Sequence, residues 1–100
     1  MSWKVKMTAK AEREFKVLLR NGVLSPDDRN IIRLWLNEME EFGPDYIARS
    51  TFWGDHPLYA EWRGFRASCF SPPGRIIYRV QDDEIFVEVH RVTTDHDYRK

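Results

Sequence analysis

The 100-residue chain has a single cysteine, Cys69, so no intrachain disulfide can form. A chain of this size that relies on no disulfide fits a reducing compartment. Nowhere do about 18 apolar residues run together, the least that crosses a bilayer as a helix. The first ten residues, MSWKVKMTAK, lack the apolar stretch of an export signal. These absences predict a cytoplasmic protein with no membrane contact. Internal repeats and low-complexity segments are missing as well. Neither GxGxxG nor a P-loop is present, which argues against a nucleotide cofactor. Metal binding has no better support: there is no Cys pair and no HExxH, and in Asp95-His96-Asp97 the candidate ligands are adjacent rather than spaced to share a face. No cofactor is expected.

Net charge is also absent, since 16 Lys and Arg balance 16 Asp and Glu. A neutral chain has no global attraction to nucleic acid, but a local basic patch can supply one. Residues 1–20 carry six Lys or Arg against two Glu, and residues 51–80 carry four Arg against two acids. The segments 21–50 and 81–100 are acidic in compensation.

What the chain does have is a core. Its residues are 42% apolar, including 14 aromatic ones, and a single domain spanning 1–100 is expected. A domain of this length buries roughly two-thirds of its unfolded surface. Trp3, Val5 and Met7 alternate with Lys4 and Lys6, which predicts a half-buried strand. Thr8 is placed to cap a helix that starts at Ala9, with Ala11, Phe15, Leu18 and Leu19 as its apolar stripe and Gly22 as its stop. Its opposite stripe, Lys10, Arg13, Lys16 and Arg20, is either a solvated face or a surface for phosphates.

Ser25-Pro26-Asp27-Asp28 marks a second helix start, with a cap, a proline at the first helical position and acids where the helix dipole favours them. That helix should run to Phe42 and end at Gly43-Pro44. Ile31, Trp35, Met39 and Phe42 form its core face, beside Ile32 and Leu36, while Glu38, Glu40 and Glu41 face solvent. Residues 44–60 read as a loop with at most one helical turn. From Trp62 the pattern becomes strands: Phe65–Phe70, Arg75–Val80, and Ile85 to about Val92, joined by a Ser71-Pro72-Pro73-Gly74 turn and a tight turn at Asp82-Asp83. The expected class is α+β, β-α-α-β-β-β, an antiparallel sheet packed on two N-terminal helices with the first strand at an edge.

Alternation sorts the sheet residues. Phe65, Ala67 and Cys69 share one face, with Cys69 read as core, and Arg66 and Ser68 take the other. Ile76, Tyr78 and Val80 are assigned to the helices, leaving Arg75, Ile77 and Arg79 on the open face. Arg66 and Arg75 flank a short turn and are expected to approach there, where two guanidinium groups would favour an anion such as phosphate. The competing reading pairs each arginine with an acid, Glu61 or Glu88 among them. The three histidines, His56, His90 and His96, are the groups that titrate near neutral pH unaided. His90 reads as structural, and His96 stands with Tyr98 in the tail.

Taken together, Asp55-His56-Pro57-Leu58, Trp62-Arg63-Gly64-Phe65-Arg66 and Arg75-Ile76-Ile77-Tyr78-Arg79-Val80 resemble, in order and spacing, the RelE/ParE superfamily of type II toxins. The similarity is sharpest to its YafQ- and YoeB-like mRNA interferases. It implies a RelE-like fold and a ribosome-dependent endoribonuclease, needing no metal and neutralised by a cognate antitoxin. By position, His56 matches the catalytic histidine of the DHPL motif, and Arg75 the arginine that stabilises the phosphate. Arg66 lies in a strand that supplies basic side chains. His96 and Tyr98 resemble the C-terminal histidine and aromatic group, although their spacing from Arg91 is one residue longer than in YafQ-like chains. Cys69 and Pro73 stand where those chains place a His and an Asp of the active site, and the neutral charge differs from the basic family norm.

The implied chemistry is attack by the ribose 2′-hydroxyl. His56 or His96 would serve as base, Tyr98 or the other histidine as acid, and Arg75 with Arg66 would hold the phosphate charge. Lys10, Arg13, Lys16, Arg20 and Arg79 would contact RNA; the implied partners are the antitoxin, the ribosome and mRNA, with no DNA contact by the chain itself. Two other readings stay open: a ParE-like inhibitor of DNA gyrase, and a RelE-like binding module without activity.

Overall fold

A computed structural model describes residues 3–72, 74–82, 84–87 and 92–93. Strand β1 (Lys4–Met7) leads into helix α1 (Ala9–Arg20). Thr8 caps α1 as expected, its Oγ1 accepting the Ala11 N–H at 3.1 Å, and the helix closes at Asn21 with Gly22 at φ 75°. Helix α2 (Pro26–Phe42) begins with a complete capping box: Ser25 Oγ accepts the Asp28 N–H, and the Asp28 carboxylate accepts the Ser25 N–H, each at 3.0 Å. The segment read as a loop holds a third, six-residue helix, α3 (Pro44–Arg49), and a two-residue strand, β2 (His56–Pro57). One 3₁₀ turn (Ala60–Trp62) precedes strand β3 (Arg66–Cys69), followed by β4 (Arg75–Gln81), β5 (Glu84–Val87) and β6 (Val92–Thr93). The last part of the third meander strand, residues 88–91 with His90, lies outside the described residues.

The α+β class and the edge position of the first strand hold. Strand order is β1-β5-β4-β3-β2, with β6 also paired to β4. The meander pairs are antiparallel, whereas β1 runs parallel to β5, so the sheet is mixed. That geometry follows from the chain path: all three helices lie between β1 and the meander, giving the chain room to return in the same direction.

Helices cover one face of the sheet. Ile76, Tyr78 and Ile85 pack there against Ala11, Ile32, Trp35, Met39 and Ile47, with Trp3, Val5 and Met7 of the edge strand alongside. Tyr78 meets Trp35 edge to face at 5.3 Å. A smaller cluster occupies the other face, where Ile77 and Ala67 lie under Leu58, Trp62 and Phe65.

Three placements differ from expectation. Val80, assigned to the helix side, is 38% exposed because β4 runs past the end of the helix layer. Phe42 ends α2 half in solvent, stacked on Tyr46 at 4.7 Å instead of entering the core. Glu38 is drawn partly inward, where it accepts the indole N–H of the buried Trp53 at 2.9 Å.

Candidate functional site

The register of β3 and β4 decides which side chains share a face. Arg66 pairs with Tyr78 and Ser68 with Ile76, while Ala67 pairs with Ile77 and Cys69 with Arg75. Directly opposed residues of an antiparallel pair project to the same side. Arg66 and Ser68 therefore belong to the helix side, and Arg75 to the opposite side. The expected approach of Arg66 to Arg75 does not occur. The alternative, an acid partner for Arg66, is what the molecule uses.

That partner is Asp55. Its side chain is fully buried and receives three donors: Arg66 Nε at 2.5 Å, Ser68 Oγ at 2.6 Å and Tyr78 OH at 2.5 Å. A buried carboxylate needs such donors, since without them desolvation would outweigh its contribution. Burial pulls the Arg66 guanidinium down, but the hydrogen bond and charge of Asp55 outweigh it, so Arg66 holds its proton more tightly than usual. Burial, seconded by Asp55, pushes the Tyr78 phenol well above its ordinary range, and Arg66 offsets only part of this. The cluster pins the loop after α3 to the two central strands. Nothing in the sequence marks Asp55, Ser68 and Tyr78 as a cluster; the one signal is that Asp55 opens the DHPL motif and Tyr78 lies within the Arg75–Val80 segment, while Ser68 carries none.

The residue after Asp55 is thereby fixed. His56 pairs with Ala67, which places it on the open side with Ala67, Ile77 and Arg75. Its ring is half-buried, and Nδ1 lies 3.0 Å from the Gly54 carbonyl oxygen. The carbonyl can only accept, so Nδ1 carries the hydrogen, and in the neutral ring Nε2 is the basic nitrogen.

Arg75 is buried at 8% exposure. Its Nη1 donates to the carbonyl oxygens of Gly74, Pro72 and Ser71 at 2.9, 3.0 and 3.3 Å, tying the β3–β4 turn to the strand it begins. The same residue lines a cleft of about 430 Å³ with Ile31, Phe52, Cys69 and Phe70. Cys69, read as core, is only partly buried; it stands in that cleft with Sγ 3.7 Å from the Gly54 carbonyl oxygen. Arg79, also on the open side, sits over the Phe65 ring at 6.0 Å.

Lys10, Arg13, Lys16 and Arg20 are all exposed on α1, on the side of the helix turned away from the sheet. The structure thus brings His56, Arg75 and Arg79 to one face, places Arg66 on the other, and leaves the basic stripe beyond the helix layer. His96, Tyr98 and Pro73 lie outside the described residues.

An edge strand, helices and a meander in this order define a RelE-like toxin fold. Neither a family model nor a curated protein matches the sequence. Solved structures do match. YafQ in the Escherichia coli DinJ–YafQ toxin–antitoxin complex is 18% identical, with a TM-score of 0.72 over 94% of this chain and 93% of that one. The Staphylococcus aureus YoeB–YefM complex contains a chain 14% identical, with a TM-score of 0.67 over 98% and 100%. A copper-bound mutant toxin from Helicobacter pylori is 26% identical, with a TM-score of 0.59 over 84% and 86%. The chain has the fold of the RelE/ParE superfamily and is similar to its YafQ- and YoeB-like toxins. Among the described residues no three of His, Cys, Asp and Glu are grouped to hold a metal ion, and none of the helices is long and apolar enough to cross a membrane.

Proposed function

We propose that the chain is the toxin of a type II toxin–antitoxin system and cuts messenger RNA on the ribosome, in the cytoplasm. The observation that carries this reading is the shared open face of His56, Arg75 and Arg79, with the His56 tautomer set by the Gly54 carbonyl oxygen. Nε2 of His56 takes the proton of the ribose 2′-hydroxyl, and the oxygen attacks the adjacent phosphorus. Arg75 and Arg79 hold the charge that builds on the phosphoryl oxygens. The proton for the leaving 5′-oxygen is assigned to the C-terminal segment, with His96 or Tyr98 as its carrier. Arg66 acts at one remove, by holding Asp55 and so the loop that carries His56. The products are a 2′,3′-cyclic phosphate and a 5′-hydroxyl, which balances the two proton transfers.

The charge distribution supports the ribosome as the setting. With no net charge, the chain has little to draw it to free RNA, whereas the exposed stripe of Lys10, Arg13, Lys16 and Arg20 offers a second contact across the sheet. A partner large enough to touch both sides, such as a ribosome, uses the two together. The similarity to chains solved with DinJ and YefM supports a cognate antitoxin as the protein partner.

The test is purified protein added to a defined message, alone and on stalled ribosomes. Cleavage only on ribosomes, with affinity falling steeply between low and physiological salt, is the expected result. Reversing Lys10, Arg13, Lys16 and Arg20 to Glu should weaken ribosome binding at least tenfold at low salt and flatten its salt dependence. Intact RNA in both settings, together with inhibition of gyrase, would establish the ParE-like reading instead.

A further inference from the structure

A second feature adjoins the open face at His56. Between β2 and β3 the chain leaves the sheet, makes the 3₁₀ turn and returns, and inside this excursion lies a pocket of about 280 Å³. Its walls include His56, Pro57, Leu58, Tyr59, Glu61 and Trp62. Tyr59 is 75% exposed, more than any other large hydrophobic residue described. Folding gains nothing from leaving that ring in water. The next residue, Ala60, holds a left-handed φ of 58°, a conformation that costs a non-glycine residue energy and tends to persist where geometry serves a purpose. The Trp62 ring is locked by an edge-to-face contact with Phe65 at 5.8 Å, and its indole N–H is buried with no hydrogen-bond partner among the described residues.

We propose that this pocket binds one unpaired base of the RNA, next to the phosphate at His56. The inference rests on the RNA-cleaving reading and adds a base subsite to it. A flat aromatic partner suits the site, because a base held between Tyr59 and the apolar wall stacks as single-stranded RNA does on aromatic side chains. The surrounding charge matches a nucleic acid strand. Arg63 is exposed and has no ion-pair partner among the described residues, and Arg79 lies over Phe65 behind the pocket wall. Glu61 sets the preference. A carboxylate accepts hydrogen bonds and donates none, so it favours bases whose amino group offers two hydrogens, adenine, cytosine or guanine, over uracil, which offers only its N3–H.

The experiment follows backbone amide and tryptophan indole resonances of the full chain by NMR while adding adenosine, cytidine, guanosine and uridine 5′-monophosphates separately. Saturable shifts at Tyr59, Ala60 and the Trp62 indole are expected, with uridine monophosphate binding at least fivefold more weakly than the best of the others. Tyr59→Ala should weaken binding about tenfold without disturbing the rest of the spectrum, since its ring is largely in solvent. Glu61→Gln should erase the discrimination against uridine. Shifts that gather elsewhere, or nucleotides that leave these residues unmoved while the protein still cleaves RNA, would overturn the subsite. So would equal binding by wild-type and Tyr59→Ala protein. Because binding is read without cleavage, a protein that binds nucleotides here but never cuts RNA would sink the catalytic reading and leave the pocket standing.

Discussion

Asp55 does the most with one side chain: its buried carboxylate joins the loop before β2 to both central strands. Removing it leaves two hydroxyls and a guanidinium without their acceptor. Breaking a buried ion pair from one side costs about 3–5 kcal/mol, and Arg66 keeps a third of its side chain in water, so the lower end applies. Asp55→Ala should therefore lose about 3 kcal/mol of stability, read as a lower urea midpoint at unchanged slope. Adding Arg66→Met should recover part of it, because the stranded charge goes too. Tyr78 makes a second prediction. The folded protein keeps its phenol proton at a pH where the unfolded chain, with an ordinary pKa of 10.0, releases it. The resulting stability is fully present below about pH 10 and is lost as pH rises beyond it. Tyr78→Phe should cost about 1 kcal/mol at neutral pH and make the alkaline decline shallower, as followed by urea denaturation from neutral to alkaline pH. None of this was visible in the chain beforehand. Asp55 looks like any loop acid until its neighbours are known.

At the level of elements, the helices were readable because their signals are local. Thr8, the Ser25–Asp28 box and Gly43 act within four residues, and each behaves as its chemistry requires. Strand faces are different, since they depend on how many residues the turn between two strands consumes. Pairing Cys69 with Arg75 leaves five residues in the β3–β4 connection, and that count sends Arg66 and Arg75 to opposite sides. No property of either arginine reveals it. Burial at element ends is equally non-local, which is why Phe42 and Val80 emerge from the core that their periodicity assigned them to. Gly43 joins both kinds of information. It takes φ 89° between α2 and α3, and a Cβ there would strike the Trp3 indole of the first-strand segment. Trp3 is also tied to α2 through its N–H on the Glu40 carbonyl at 2.8 Å. Gly43→Ala should cost about 3 kcal/mol, whereas Gly22→Ala, with positive φ but open space around it, should cost about 1 kcal/mol. Thermal unfolding of the two variants would separate strain alone from strain with a clash.

On the scale of the whole molecule, the sheet divides two tasks. Its helix side builds the core and the Asp55 cluster, and its other side carries His56, Arg79 and the buried Arg75. The sequence motifs located these residues, but only the folded sheet sets Arg66 apart from them and shows what supports His56. His56 on this face is the base we propose for RNA cleavage. The most direct measurement is induction of the protein in a bacterial host with mapping of messenger-RNA 5′ ends, beside His56→Ala and Arg75→Ala variants whose folding is checked by circular dichroism. His56 is half in solvent and outside both clusters, so its removal should leave the fold intact. New 5′ ends within translated frames, vanishing when translation is blocked and falling about 10²–10³-fold in folded His56→Ala protein, are predicted. New ends that persist undiminished in the His56→Ala variant, or growth arrest with every message intact, would contradict the claim.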